Sequence, residues 1–453
     1  MLPAARRALR VNLPLLLNSG AVTIGNVCTA VLGFAFWWVA ARSFPPETVG
    51  IASALISMMG LIGLLGEVGL GTLLIGEPPR QDRADRGLIP AALLTSLVVS
   101  GALGLAYALL TAAWPVLGRA GDGGSMQIPL FAVGCALTGV ALVGDHALIG
   151  LLRSDIQLLR NVSFSLVKLL LLAGMALLWP GQGGMAILLV WTLGAALSLL
   201  LAGSIAVRRG VFVPGPPDML LLPPRIARVA DHHALNLAAQ APAILFPFLV
   251  AVLFSPTVNA AFFPAWAVVH AASMFPAALT VVLYRIGNQD ADGGAGRLGF
   301  SLILATGFSL LAGLVLFLAS RDILAFFNPA YPDIAGASLR LLGFGIVSLS
   351  VRAHYLALMR LRGTMRRASV RYAAWSSFEI AAACLGGSLA GLEGFTLGWL
   401  LSISAQALAM LPPLLATARF PLGMKGAAMG YTAGLRAAPE VSNRPGAAKE
   451  ARP

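Results

Sequence analysis

Long apolar runs, broken by short polar turns rich in proline and glycine, occupy the chain from about residue 13 to residue 418. A run of about 20 apolar residues is long enough to cross the hydrocarbon core of a bilayer as a helix. A helix also satisfies its own backbone where no water can. On that basis the pattern predicts twelve spans, at 13–40, 49–76, 88–113, 128–152, 161–180, 185–207, 234–255, 258–284, 298–319, 335–359, 370–390 and 395–418. The breaks between them have turn chemistry: Phe44-Pro45-Pro46-Glu47, Glu77-Pro78-Pro79-Arg80, Gly181-Gln182-Gly183-Gly184, Ser255-Pro256 and Gly391-Leu392-Glu393. The predicted fold class is therefore an all-α polytopic membrane protein.

Composition agrees. Of 453 residues 58% are hydrophobic and only 11% charged, against about 25% charged in soluble domains, which argues against a soluble enzyme. The net charge of +13 raises the question of nucleic acid, but no polar domain gathers the basic residues into a duplex-binding surface. They sit in short clusters between the apolar runs. With the N-terminus placed in the cytoplasm, 25 of the 31 Lys and Arg fall in cytoplasmic segments. Only Arg42, Arg119 and Arg321 fall on the other side, and Lys168, Arg340 and Arg352 fall within spans. This is the positive-inside asymmetry, and it puts both termini in the cytoplasm. Trp37, Trp38, Trp114 and Trp179 stand near the outer ends of spans, where an aromatic belt is expected, whereas Trp191 and Trp266 read as packing residues.

Four segments follow. Residues 1–207 form a first six-helix bundle, the Pro- and Arg-rich stretch 208–233 a cytoplasmic inter-bundle loop, 234–418 a second six-helix bundle, and 419–453 a disordered cytoplasmic tail poor in large apolar residues. Because six is even, the two halves form a parallel pseudo-repeat. Arg6-Arg7-Ala8-Leu9-Arg10 precedes an apolar run longer than the 7–15 residues of a signal-peptide core, so a retained first span is expected. Cys28, Cys135 and Cys384 lie in apolar runs at no metal or redox spacing and read as unpaired small side chains. No cofactor is implied.

Motifs for nucleotide hydrolysis, zinc proteolysis or serine hydrolysis are absent from the sequence, and the outer loops are too short to house a catalytic domain. The chemistry lies in ionisable residues within spans, each costly unless paired or hydrated. These are Glu67 in a glycine-rich stretch, Asp145 with His146, Lys168, His270, Arg352 with His354, and Glu379. The acids Glu67, Asp145 and Glu379 are candidates for ion coupling. Arg352 and Lys168 are candidates for an anionic group, Arg because its planar fork suits phosphate. His270, Asn18, Asn236 and Gln240 are candidates to line a polar path, with Asn26 beside them. Snorkelling to the surface competes for Arg352, His354, Asp145 and Lys168, and helix–helix hydrogen bonding competes for the rest. Pro242, Pro247, Pro264 and Pro276 lie inside spans seven and eight and would kink or unwind helices beside a moving cavity.

Several stretches resemble a known family. Trp37 and the run Ala41-Arg42-Ser43-Phe44-Pro45-Pro46-Glu47-Thr48-Val49-Gly50-Ile51-Ala52-Ser53-Ala54, followed by Leu65-Gly66-Glu67-Val68-Gly69-Leu70-Gly71-Thr72, are similar to the first helices of bacterial polysaccharide biosynthesis proteins. These are Wzx-type lipid-linked oligosaccharide flippases, of the superfamily that includes the MATE exporters. Asn236-Leu237-Ala238-Ala239-Gln240-Ala241-Pro242, Asn259 to Trp266, and Phe326-Phe327-Asn328-Pro329-Ala330-Tyr331 ahead of Leu339-Arg340-Leu341-Leu342-Gly343 extend the resemblance through about residue 418. It implies two six-helix bundles in a V around a central cavity. It also implies export of a polyprenyl-diphosphate-linked oligosaccharide from the cytoplasmic to the periplasmic leaflet of the bacterial inner membrane, for surface polysaccharide such as lipopolysaccharide or exopolysaccharide. Cationic cavity residues would hold the diphosphate. Partners would be the lipid-linked substrate, the bilayer and other polysaccharide assembly proteins, and not nucleic acid. The competing reading is a cation-coupled multidrug exporter; span one lacks the acidic cation site often found in that branch. A membrane scaffold or glycan-assembly enzyme is a third reading. A carrier of the major facilitator type is only faintly echoed by Glu77-Pro78-Pro79-Arg80-Gln81-Asp82-Arg83.

Overall fold

A computed structural model describes residues 27–76, 87–113, 126–178, 183–211, 215–287, 294–362 and 365–418. All regular structure in these residues is helical. The order is α1 (Val27–Ser43), then α2 (Pro46–Gly66), α3 (Leu70–Gly76), α4 (Leu88–Ala113), α5 (Gln127–Gly150), α6 (Ser154–Leu178), α7 (Gly184–Arg208), α8 (Pro223–Leu253), α9 (Pro256–Gly287), α10 (Gly294–Leu318), α11 (Ser320–Phe327), α12 (Tyr331–Leu361) and α13 (Met365–Thr417). Ten of these helices are long and apolar enough to cross a membrane, and α1 is a shorter apolar one. The 53-residue α13 carries non-helical backbone at Ala390 and Gly391 (φ 59° at Gly391), so it makes two antiparallel passes and brings the passes to twelve. Its arms meet glycine to glycine: a Cβ on Gly386 would strike the Gly394 carbonyl. The predicted all-α architecture is thus observed, and the described helices allow twelve passes once α1 is counted among them.

Several boundaries differ. The span expected at 49–76 is not continuous, because α2 stops at Gly66 and α3 starts at Leu70. Between them Val68 has φ 50° and Gly69 φ 80°. A β-branched residue in the left-handed region is strained, and its neighbours are what hold it there. Gly66 packs without a Cβ on Ser100 of α4, and Gly63 packs on Thr138 of α5. Hydropathy cannot register such a break, since Val68 is as apolar as its surroundings. Span five begins early, at Ser154, which carries Arg160 from the expected loop into the helix. α8 begins at Pro223, within the stretch read as loop. α11, a short helix before α12, was not anticipated. The four internal prolines of α8 and α9 sit within helices that continue past them. Trp37 is buried among Phe36, Trp191 and Phe263 instead of standing in an interfacial belt. Trp114, Trp179, the Glu77–Arg80 break and the tail lie outside the described residues. The cysteines are free.

The exposed arginines Arg208, Arg209, Arg360, Arg362, Arg366, Arg367 and Arg371 share one face of the molecule, the basic face. Toward the opposite face a single continuous apolar core joins both halves, from Phe36, Met59 and Ile187 to Phe246, Phe262, Leu339 and Trp399. Toward the basic face the core divides. One cluster, around Leu70, Leu74 and Val143, also takes in Leu222 and the first turns of α8 (Ile226, Val229), and another, around Leu235, Tyr355 and Tyr372, lies wholly in the second half. The two halves are therefore sealed to each other on one side by one core, and on the basic side they hold two distinct clusters bridged only at the start of α8.

Candidate functional site

The seal is built by close approach and by hydrogen bonds. A Cβ on Gly50 of α2 would run into the Pro256 carbonyl of α9, so only glycine permits this crossing. Beside it buried Asn259 donates to the Gly50 carbonyl and to Ser53 Oγ, both at 2.9 Å. At the rim Trp38 Nε1 and the Arg42 guanidinium donate to the Phe326 carbonyl, each at 2.9 Å. Asn328 donates back to the Ala41 carbonyl at 2.9 Å. The Phe326 and Ala325 carbonyls close α11, and helix-end carbonyls lack intrahelical partners. A cation there also meets the negative end of the helix dipole. The motif residues Arg42, Gly50, Ser53, Asn259 and Asn328 thus act together as one closure.

Three sets of ionisable groups lie below. In the second half Arg352 of α12 pairs with Glu379 of α13 (NH1 to Oε2, 3.0 Å) and donates to the Ala239 carbonyl at 3.1 Å. Trp399 donates to the other carboxylate oxygen at 2.8 Å. Gly345 leaves the space its indole fills. Tyr372 donates to the Arg352 carbonyl. Arg352 is 11% and Glu379 4% exposed at the side chain, which rejects snorkelling for Arg352. His270 lies one ring away from this network, 4.5 Å from Trp266, which packs at 5.1 Å on Trp399. Its Nε2 is buried without a partner among the described residues. His354 is held apart by Ser301 and the Ser350 carbonyl.

In the first half Arg160 makes a bidentate pair with Asp145, reinforced by Asn161. Arg160, expected in the loop ahead of span five, is instead a helical residue and the partner of Asp145. A pairing signal was present: the Arg on α6 follows Asp145 of α5 across a tight turn. His146 Nδ1 stands 3.1 Å from Glu67 Oε1, at ion-pair distance but without hydrogen-bond alignment. A Cβ on Gly71 would fall on both atoms, so the glycine-rich stretch makes room for this pair at the α2–α3 break.

Lys168 of α6 is different. Its ammonium lies 3.6 Å from the Trp191 ring centroid, 4.4 Å from Phe164 and 5.0 Å from Phe36. It is buried, and among the described residues no carboxylate pairs with it. Gly194 of α7 allows the close approach of its stem. Three aromatic faces are a cation–π cage, which offsets desolvation while leaving the net charge uncompensated. Among the described residues Asn236 makes long contacts, 3.4 Å to Thr72 and to Arg360, and Gln240 is exposed on α8. Asn18 and Asn26 lie outside the described residues. The structure therefore brings Arg352, Glu379 and His270 into one neighbourhood, places Glu67 and Asp145 on either side of His146 in a second, and keeps Lys168 in a third.

A sequence model of the family described as polysaccharide biosynthesis protein matches residues 15–223. That match covers the first half; the second-half resemblance is carried by the fold. No curated protein matches by sequence. Among solved structures the chain is similar to the lipid II flippase MurJ in an inward closed conformation, with a TM-score of 0.71 at 13% identity over 90% of this chain and 88% of that one. It is similar to a MOP superfamily transporter from Pyrococcus furiosus, with a TM-score of 0.56 at 17% identity over 90% and 94%. It is also similar to a multidrug resistance MATE family transporter of the MOP superfamily in an outward-facing conformation, at 0.55, 17%, 91% and 96%. The chain has the fold shared by these MATE and MurJ structures and is a multi-pass membrane protein.

Proposed function

We propose that this protein is a flippase that takes a polyprenyl-diphosphate-linked oligosaccharide from the leaflet at its basic face and releases it into the opposite leaflet, for surface polysaccharide assembly. The observation that carries the reading is the asymmetry of the core: one continuous seal on the less basic side, and on the basic side two clusters joined only through the first turns of α8. That is the form expected of an alternating-access carrier loaded from the basic side. The polysaccharide biosynthesis match over residues 15–223 and the likeness to MurJ support the choice of a lipid-linked substrate over a soluble one. The basic face is the cytoplasmic face of a bacterial inner membrane on the positive-inside argument, with both termini there.

Within this reading Lys168, not Arg352, is the cation available to the diphosphate. Arg352 is already engaged by Glu379 and a backbone carbonyl, whereas Lys168 has only ring faces. The exposed arginines at the basic mouth draw the anionic headgroup in, as charged clefts steer ligands. Glu67 with His146 is the coupling candidate that the arrangement favours, because Asp145 and Glu379 are each held by an arginine.

The test is transfer of a labelled lipid-linked oligosaccharide in proteoliposomes, scored by accessibility at the far leaflet. Transfer above that of protein-free vesicles is expected, and a label that stays on the loading leaflet overturns the proposal. The second reading, a multidrug exporter, is favoured by the MATE fold likeness. A deletion strain with altered drug susceptibility and intact surface polysaccharide would select it.

A further inference from the structure

Arg340 stands apart from every group used above. It lies on α12 within a membrane span, yet it is exposed. Its Nε donates to buried Ser320 Oγ at 3.0 Å, and its guanidinium carbon lies 5.6 Å from the Phe317 ring. Its terminal nitrogens have no partner among the described residues. An arginine on a membrane-exposed helix face is costly without an anion.

The level at which it sits is near the end of the span, where lipid phosphates begin. α10 ends at Leu318, and Ser320-Arg321-Asp322 opens α11 beside it, so hydrocarbon gives way to headgroups here. The Cα–Cβ bonds of a helix tilt toward its N-terminus, and the N-terminus of α12 lies on the less basic side. The Arg340 stem therefore leans toward the headgroups of that leaflet. A cavity of about 210 Å³, lined by Arg321, Pro332, Asp333, Gly336, Ala337 and Arg340, opens at this point. Arg321 is paired with Asp333 at 2.7 Å, so the cavity carries one net positive charge, that of Arg340. Below it the α10–α12 groove is apolar. Phe317 and Phe344 touch at 5.9 Å and are 41% and 51% exposed, with Leu314 at 53%. Gly313 and Gly343 let the two helices approach closely beneath.

We propose that this groove is a binding site for one anionic glycerophospholipid of the leaflet at the less basic face. Arg340 holds its phosphodiester at the mouth of the cavity, and an acyl chain lies along Phe317 and Phe344. Ser320 is a positioning residue that fixes the guanidinium at the mouth of the cavity. The single net charge favours a headgroup without an ammonium. The site rests on this groove alone, independent of what the protein transports.

Native mass spectrometry of the purified full chain, titrated with phosphatidylglycerol, tests it. Arg340→Gln should weaken the affinity for one bound lipid about tenfold, the order of a hydrogen bond to a charged group. Lipid held at the Arg366, Arg367 and Arg371 cluster on the other face should remain. Phe344→Ser is the second probe and keeps the charge; it should weaken a long-chain phosphatidylglycerol and spare a short-chain one. An unchanged lipid count and affinity in both variants overturns the site. Equal binding of phosphatidylcholine overturns the anionic assignment, and displacement by an equal concentration of inorganic phosphate overturns a lipid in favour of a free anion.

Discussion

Two buried cations in this protein have opposite surroundings. Arg352 is neutralised by Glu379 and capped by a carbonyl, so removing it strands a buried carboxylate. Breaking a buried pair on one side costs about 3–5 kcal/mol. Arg352→Ala should therefore lower the unfolding temperature in detergent, Arg352→Lys should lower it less, and Arg352→Ala with Glu379→Leu should recover much of the loss. A single alanine variant as stable as the parent would show that the pair is not structural. Lys168 has no carboxylate to strand. Lys168→Met should leave abundance and melting unchanged or improved while abolishing lipid-linked oligosaccharide transfer in vesicles. Full transfer by the methionine variant would reduce the aromatic cage to packing. Composition and position along a span identified both residues as costly, but they could not tell a paired charge from a caged one, because partner identity depends on helices far apart in sequence.

At the level of the helix, the α2–α3 break is the feature hydropathy missed. The glycines at 63, 66, 69 and 71 were visible as a cluster, and each has a separate local reason: contact with Thr138, with Ser100, a left-handed φ against His233, and space for the Glu67–His146 pair. Gly71→Ala places a methyl on that pair and should lower both thermal stability and transport. Gly76→Ala, where nothing lies within 4 Å, should be neutral in the same assays. Equal behaviour of the two would mean that the break tolerates crowding. Arg160 teaches the same lesson from the other side. About two turns of extra helix at the start of α6 carry Arg160 into the helix as the partner of Asp145, and helix ends are what apolar patterns locate least well.

For the whole molecule, the seal on the less basic side has to open if cargo is to leave there. It depends on Arg42 and Asn328 at the rim and on Asn259 within. In a chain with Cys28, Cys135 and Cys384 replaced by Ala, Ser53→Cys should resist a membrane-impermeant maleimide applied from that side, since Ser53 is fully buried. Adding Arg42→Ala and Asn328→Ala should raise the labelling rate severalfold by shifting the population toward the opened state. Unchanged labelling would place the opening elsewhere.

Class, pass number and charge asymmetry were legible in the amino-acid order because each is local. A span needs only its own apolar residues to satisfy its backbone in lipid, and loop arginines report sidedness one loop at a time. The seal, the division of the core, the Asp145–Arg160 pair, the cage around Lys168 and the groove at Arg340 were decided by tertiary structure. In a chain apolar on nearly every helix face, hydropathy does not say which face meets lipid and which meets protein. That choice is made by close packing between helices, through glycines such as Gly50 and Gly345 whose meaning appears only when the opposing helix is in place.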